Sequence, residues 1–171
     1  MCIRDSSKAN DLILAEAAAN PELRGMGTTL TAAQLRPQRS LSIAHVGDSR
    51  AYLMRIEILE QLTNDHSVVA EYLRAGSIRP EDVATHPQRS MLTRALGLYE
   101  DIEVDTLEAK TRNGDRLLLC SDGLTSMVPE PLIAEILRNG TPEEVVWSLI
   151  ETANQMGGHD NISVVVVDVG P

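Results

Sequence analysis

Three aspartates have the residue type and setting best suited to chemistry in this chain. Each stands beside glycine, or one residue from it, at the mouth of a segment that reads as a strand. Asp48 lies in Val46-Gly47-Asp48-Ser49-Arg50, Asp122 in Cys120-Ser121-Asp122-Gly123, and Asp160 in Gly158-His159-Asp160-Asn161. Carboxylates that converge from strand ends repel one another unless a cation sits between them. Hard divalent ions such as Mg²⁺ or Mn²⁺ favour oxygen ligands of this kind, and glycines such as Gly47 and Gly123 let backbone and water come close. Each aspartate also has an ordinary reading. Asp122-Gly123 suits a turn, Asp48 with Arg50 suits a surface turn with a local ion pair, and Asp160-Asn161 can open the last strand through side-chain hydrogen bonds. Their occurrence together, in this order, is what calls for a common explanation.

The elements that must position these residues are legible in outline. Asp11 to Ala19 reads as a helix stopped by Asn20-Pro21, because proline disfavours helical geometry in the residue before it. Gly25-Met26-Gly27 is a turn, with strands expected over Thr28–Ala33 and Ser40–Val46. Ala51 to Leu62 holds two more strands, although no Gly or Asn marks the bend. Asp65-His66-Ser67 can cap a helix over Val68–Ala75, with Gly76 just past its end. Ile78 to Arg94 is polar, contains two prolines and reads as a mobile surface segment. Ile102 to Ala109 alternates with period two, as a half-exposed strand does. After the turn Asn113-Gly114-Asp115 come a buried strand over Arg116–Cys120, a helix over Pro129–Asn139 and a second helix opened by Thr141-Pro142-Glu143-Glu144. That opening carries a capping-box signature. A valine-rich strand over Ile162–Val169 closes the chain. Many strands with a helical pair between them suggest stacked sheets flanked by helices.

Composition narrows the function. The 171 residues suit one domain. No apolar run approaches the ~20 residues of a membrane-spanning helix, and Met1 to Ser7 lacks the apolar core of a signal peptide, so the chain reads as cytoplasmic. A net charge of −10 and an aromatic content of 2% exclude a basic, base-stacking nucleic-acid platform. An acidic protein that handles phosphate would borrow positive charge from metal ions. Cys2 and Cys120 form no metal or disulfide framework, and Cys120, in an apolar run, reads as a small buried side chain.

The ordered motifs resemble the PP2C-type (PPM) metal-dependent protein phosphatases, above all the small bacterial ones that oppose Ser/Thr kinases. The matching segments are Gly25 to Thr29, Ile43 to Tyr52, Gln61 to Ser67, Thr93 to Gly97, Gly114 to Thr125 and Gly158 to Ser163. The resemblance implies an α+β fold: a β-sandwich of two antiparallel sheets flanked by helical layers, here without the family's N-terminal strands. It implies two Mg²⁺ or Mn²⁺ ions, with Asp122 and Asp160 among their ligands, and a weaker third site to which Asp48 belongs. Gly47, Gly123, Asn161 and Ser121 would support those ligands. Beyond the metal ligands it marks no catalytic side chain in this chain, because the family's phosphate-contacting Arg lies in the absent opening segment with two further metal-binding positions. The reaction implied is hydrolysis of phosphoserine and phosphothreonine in bacterial phosphoproteins by a metal-activated water, without a phospho-enzyme. The expected partners are phosphoprotein substrates and a cognate Ser/Thr kinase. Ile78–Arg94 corresponds to the family's variable flap.

Three departures accompany the match. The opening strands are absent, and Met1 to Ser7 has no family counterpart, so residues 1–8 are read as a non-native leader and 9–171 as a partial catalytic domain. Ser126 stands where some relatives place another carboxylate. The Arg55–Glu60 region lacks the relatives' Asp-Gly turn. An alternative is a non-catalytic fragment or regulatory relative that keeps the fold and weak metal binding. A general metal-dependent esterase would leave the ordered motif set unexplained. His45 is expected to be packed in its strand, and His66 to make a structural hydrogen bond at a helix start. Arg50 and Arg94 are expected to pair with nearby carboxylates, and Trp147 to be a core residue.

Overall fold

The computed structural model describes residues 3–170. Cys2, and with it the start of the expected leader, lies outside the described residues. The chain forms two compact units, one built from the residues up to Asp48 with Asn64–Ala109, the other from Ser49–Thr63 and the residues from Lys110 onward. Among the described residues no helix is long and apolar enough to cross a membrane.

The first unit opens with helix α1, Ile3–Ala19. It begins well before the expected Asp11, since Ile3 to Asn10 contains neither Gly nor Pro and places Asp5 in the first turn, where the helix dipole favours an acid. Within this helix the polar residues Ser6 and Asn10 are buried. The Asn10 amide donates to the carbonyls of Tyr99 and Glu100 at 2.8 and 3.3 Å and accepts from Gly97 N at 2.7 Å. Gly97 suits this contact: at φ 87° an added Cβ would stand 2.3 Å from Ile13 Cγ2. Strands β1 (Leu30–Arg36) and β2 (Ser40–Val46) pair antiparallel from Leu30↔Val46 to Arg36↔Ser40. Strand β5 (Asp105–Lys110) flanks β2 on its other side, so the central strand is buried almost throughout. The core joins Ala44, Val46, Leu96 and Val104 to Ala9, Ile13, Leu30 and Ile102. Helix α2 (Val68–Arg74) starts where expected, with the Ser67 hydroxyl accepting from Ala70 N. The flap-like region holds a 3₁₀ turn at Pro80–Thr85.

The second unit is a four-stranded antiparallel sheet in the order β4-β3-β6-β7, comprising β3 (Arg50–Arg55), β4 (Ile58–Gln61), β6 (Arg116–Cys120) and β7 (Val164–Asp168). The bend without a marker is a two-residue connection, Ile56-Glu57, with Ile56 held at φ 58°. Tyr52, Met54, Leu118 and Cys120 project from the sheet into an aliphatic core. There they meet α3 (Asp122–Thr125), α4 (Glu130–Leu137) and α5 (Pro142–Gln155) through Leu124, Ile133, Leu137, Val145, Leu149 and Ala153. The short α3 has no counterpart in the sequence reading. The capping box of α5 forms as expected, with Thr141 Oγ1 accepting from Glu144 N and Glu144 Oε2 accepting from Thr141 N at 2.8 Å.

Trp147 corrects the core expectation: it is 59% exposed. Val145, Leu149 and Ala153 recur every four residues and define the buried stripe of α5. A residue two positions from Val145 is turned about 200° away from it.

Candidate metal centre

Asp122 and Asp160 both belong to the second unit, and its sheet register explains why their segments meet. Arg50 pairs with Cys120, and Cys120 with Val164, so β6 leaves the sheet at the end where β7 enters it. Ser121 then joins the two mouths. Its hydroxyl donates to Asn161 O at 3.1 Å and accepts from Ser163 N at 3.0 Å, while its own N–H donates to Ser163 O. This bonding also shortens the expected last strand, because Ser163 N is engaged by a side chain rather than by the ladder. Gly123 closes the joint. A Cβ there would lie 2.4 Å from Asn161 O and 2.9 Å from Asn161 C, so the approach requires a residue without a side chain. Asp122 is half-buried at the first residue of α3, and Asp160 is exposed with Oδ1 accepting from Asn161 N at 2.7 Å.

Asp48 belongs to the first unit, directly after β2 and Gly47. Gly47 adopts φ 110°, and a Cβ on it would stand 2.4 Å from Thr29 Cγ2. Both its backbone polar groups are engaged by His66: Gly47 N donates to Nδ1 at 3.1 Å, and His66 N donates to Gly47 O at 2.8 Å. His66 makes the structural contact expected of it, and Arg94 pairs with Asp105 at 2.8 Å and Glu103 at 3.3 Å. Arg50 pairs with Glu130 at 3.5 Å and donates to the Tyr52 hydroxyl. His45 is packed as expected: Nε2 donates to Asn64 O at 3.0 Å and Nδ1 faces Thr31 Oγ1 at 2.9 Å. Burial lowers its pKa.

Asp105 is the residue that sequence reasoning missed. The alternation over Ile102–Ala109 had set Asp105 on the solvent side with Glu103. In β5, however, Asp105, Leu107 and Ala109 share the more covered side. Burial alone would raise the Asp105 carboxyl, but the hydrogen bonds from His66 and Arg94, with the charge of the Arg94 guanidinium, outweigh it and hold the group below its usual value.

The donor set suits a hard cation in kind, with carboxylates at strand mouths and a glycine cradle that a side chain would fill. Its number is smaller: among the described residues no three or more His, Cys, Asp or Glu side chains cluster as metal ligands. The pair of segments joined by Ser121 therefore fits part of a metal site.

Comparison with known proteins gives a consistent result. The family described as Stage II sporulation protein E (SpoIIE) matches residues 7–170. The serine/threonine phosphatase stp of Listeria monocytogenes is 48% identical over 162 residues, covering 94% of this chain and 64% of the relative. The chain thus spans slightly less than two thirds of that protein's length. The crystal structure of the Mycobacterium tuberculosis serine/threonine phosphatase PstP/Ppp is 42% identical, with a TM-score of 0.89 over 95% of this chain and 68% of that one. A structure of the PstP catalytic domain in complex with two manganese ions is 40% identical, with a TM-score of 0.87 over 95% of this chain and 67% of that one.

Proposed function

This chain belongs to the SpoIIE/PP2C family of bacterial serine/threonine phosphatases, and from that membership we propose that its protein removes phosphate from phosphoserine and phosphothreonine in phosphoproteins with the help of Mg²⁺ or Mn²⁺. The observation that carries the reading is the joint between Ser121-Asp122-Gly123 and Asp160-Asn161, which brings two carboxylate-bearing strand mouths together in a family with a manganese-bound relative. Asp122 and Asp160 would hold the principal ions and Asp48 a weaker third, with Ser126 supplying no charge where some relatives have a carboxylate. Bound there, the cations supply Lewis-acid activation of water and neutralise charge on the phosphoryl group. The chain's own residues hold the geometry. Ser121 locks the two segments, Gly123 permits their approach, Asn161 N restrains the Asp160 carboxylate, and Gly47 shapes the turn before Asp48. The substrates in this reading are products of a Ser/Thr kinase.

The test is Mn²⁺-dependent phosphate release from a phosphothreonine peptide. It compares the chain itself with a fusion carrying the opening segment of the Listeria relative ahead of Asn10. The expected result is near-inactivity of the chain and metal-dependent turnover by the fusion, abolished by Asp122→Asn. Among the described residues no three or more ligand side chains cluster, so a metal pair held by them alone would be poorly placed, and small misplacement is expensive in catalysis. A well-folded but inactive fusion would favour the non-catalytic alternative.

A further inference from the structure

His66 is 2% exposed and held on two sides. A backbone N–H can only donate, so the 3.1 Å contact from Gly47 N requires His66 Nδ1 to accept. In the neutral ring the proton then sits on Nε2, and Asp105 Oδ2, 3.2 Å away, accepts it. Arg94 Nη1 also lies 3.3 Å from Nε2, but two donors meet there, so its hydrogen bond goes to Asp105 Oδ1 at 2.8 Å. The directions agree along the chain of contacts: Gly47 donates to His66, and His66 and Arg94 both donate to Asp105. The return bond from His66 N to Gly47 O pins the peptide that leads into Asp48.

We infer that His66, oriented by Asp105 and Arg94, is a positioning residue that fixes the Gly47–Asp48 turn and so sets how the Asp48 carboxylate is presented to a divalent cation. This rests on the reading of Asp48 as a metal-holding residue. With both polar groups of Gly47 bonded to one buried residue, the turn cannot rotate without breaking two hydrogen bonds. Its φ of 110° and the close approach of Thr29 leave little room for another arrangement. Partners of this outer kind are worth about 10–100-fold in metal affinity.

The experiment is NMR on the 171-residue chain and its His66→Leu and His66→Asn variants. It follows the ring tautomer, hydrogen exchange at the Gly47 amide, and Mn²⁺-induced broadening at Asp48 and Asp160. Wild type should show the Nε2–H tautomer and a protected Gly47 amide. His66→Leu should expose that amide and raise the Mn²⁺ midpoint at Asp48 by about 10–100-fold while moving that at Asp160 by less than about threefold. An Asn side chain can place an acceptor near the position of Nδ1, so His66→Asn should restore Gly47 protection and most of the Asp48 affinity. An Nδ1–H tautomer in wild type would overturn the inference, as would an unchanged Asp48 midpoint in His66→Leu or an Asn variant as damaged as the Leu variant. If His66→Leu unfolds, seen as lost protection at Leu118, the Asn variant decides by the same criteria. Absence of broadening at Asp48 in wild type would overturn the metal role of Asp48 and this inference with it, a result distinct from broadening that His66→Leu leaves untouched.

Discussion

At the scale of single residues, the metal-site proposal depends on contacts that a methyl group or a lost carboxylate would change. Gly123→Ala must push its new carbon away from Asn161 O, which it would otherwise meet at 2.4 Å. Overpacking of this kind costs about 1–3 kcal/mol, so thermal denaturation should show a lower Tm, and Mn²⁺ titration should show weaker binding. In the fusion with the Listeria opening segment, Asp48→Ala should lower turnover while leaving the tightly bound ions in place. Mass spectrometry of the native protein would detect loss of both ions, which would move Asp48 into the principal site. Asp48, Asp122 and Asp160 were marked as candidates in the sequence because each follows or precedes an apolar strand and has glycine nearby. Asp105 was not, because a change of phase at a strand's start leaves no mark on the residue types. Val104 is buried and Asp105, its immediate neighbour, faces the covered side as well.

At the scale of elements, most strands and helices could be read from periodicity and caps, and the departures have local causes. β2 and β6 coincide with their expected spans, and the Thr141–Glu144 box starts α5 where predicted. The β3–β4 connection was obscure because it places isoleucine where glycine normally provides a positive φ. Ile56 is β-branched, sits at φ 58° and is 85% exposed, so its side chain gains little burial in return for the strain. Ile56→Gly should raise stability by about 1 kcal/mol in urea denaturation, the strain relief exceeding the added freedom of the unfolded chain. On α5, Leu149→Ala should cost about 2–5 kcal/mol whereas Trp147→Ala should change stability by under about 1 kcal/mol, which the same measurement separates.

The second unit also has an acid-sensitive tie. The Arg55 guanidinium donates to Asp115 at 2.9 and 2.7 Å, and Arg112 N donates to the same carboxylate at 2.7 Å. Hydrogen bonds from Arg55, against the opposing effect of burial, hold Asp115 below the usual carboxylate range. A lowered folded pKa means that this stabilisation is full above the unfolded value of about 3.9 and is lost as pH falls through the folded value. Asp115→Asn should therefore destabilise the chain by about 2 kcal/mol near neutral pH. Denaturation curves of variant and wild type should converge as pH is lowered below the ordinary carboxylate range.

At the scale of the whole molecule, the family match spans residues 7–170, and the two antiparallel sheets with their helices agree with the α+β class read from the sequence. Absence of Phe did not prevent core formation, because Leu, Val, Ile, Met and Ala dominate the hydrophobic clusters among the described residues. The extent of α1 was not legible: its first turns are polar, and what draws them into the fold is a tertiary contact, the Asn10 amide on the 97–100 backbone. In the proposed function Asp122 and Asp160 act together on a divalent cation. Calorimetric titration of the folded chain with Mn²⁺, beside Asp122→Asn and Asp160→Asn, tests it most directly. Wild type should bind measurably and each variant at least about tenfold more weakly; indistinguishable isotherms for all three proteins would show that the two carboxylates do not share a cation.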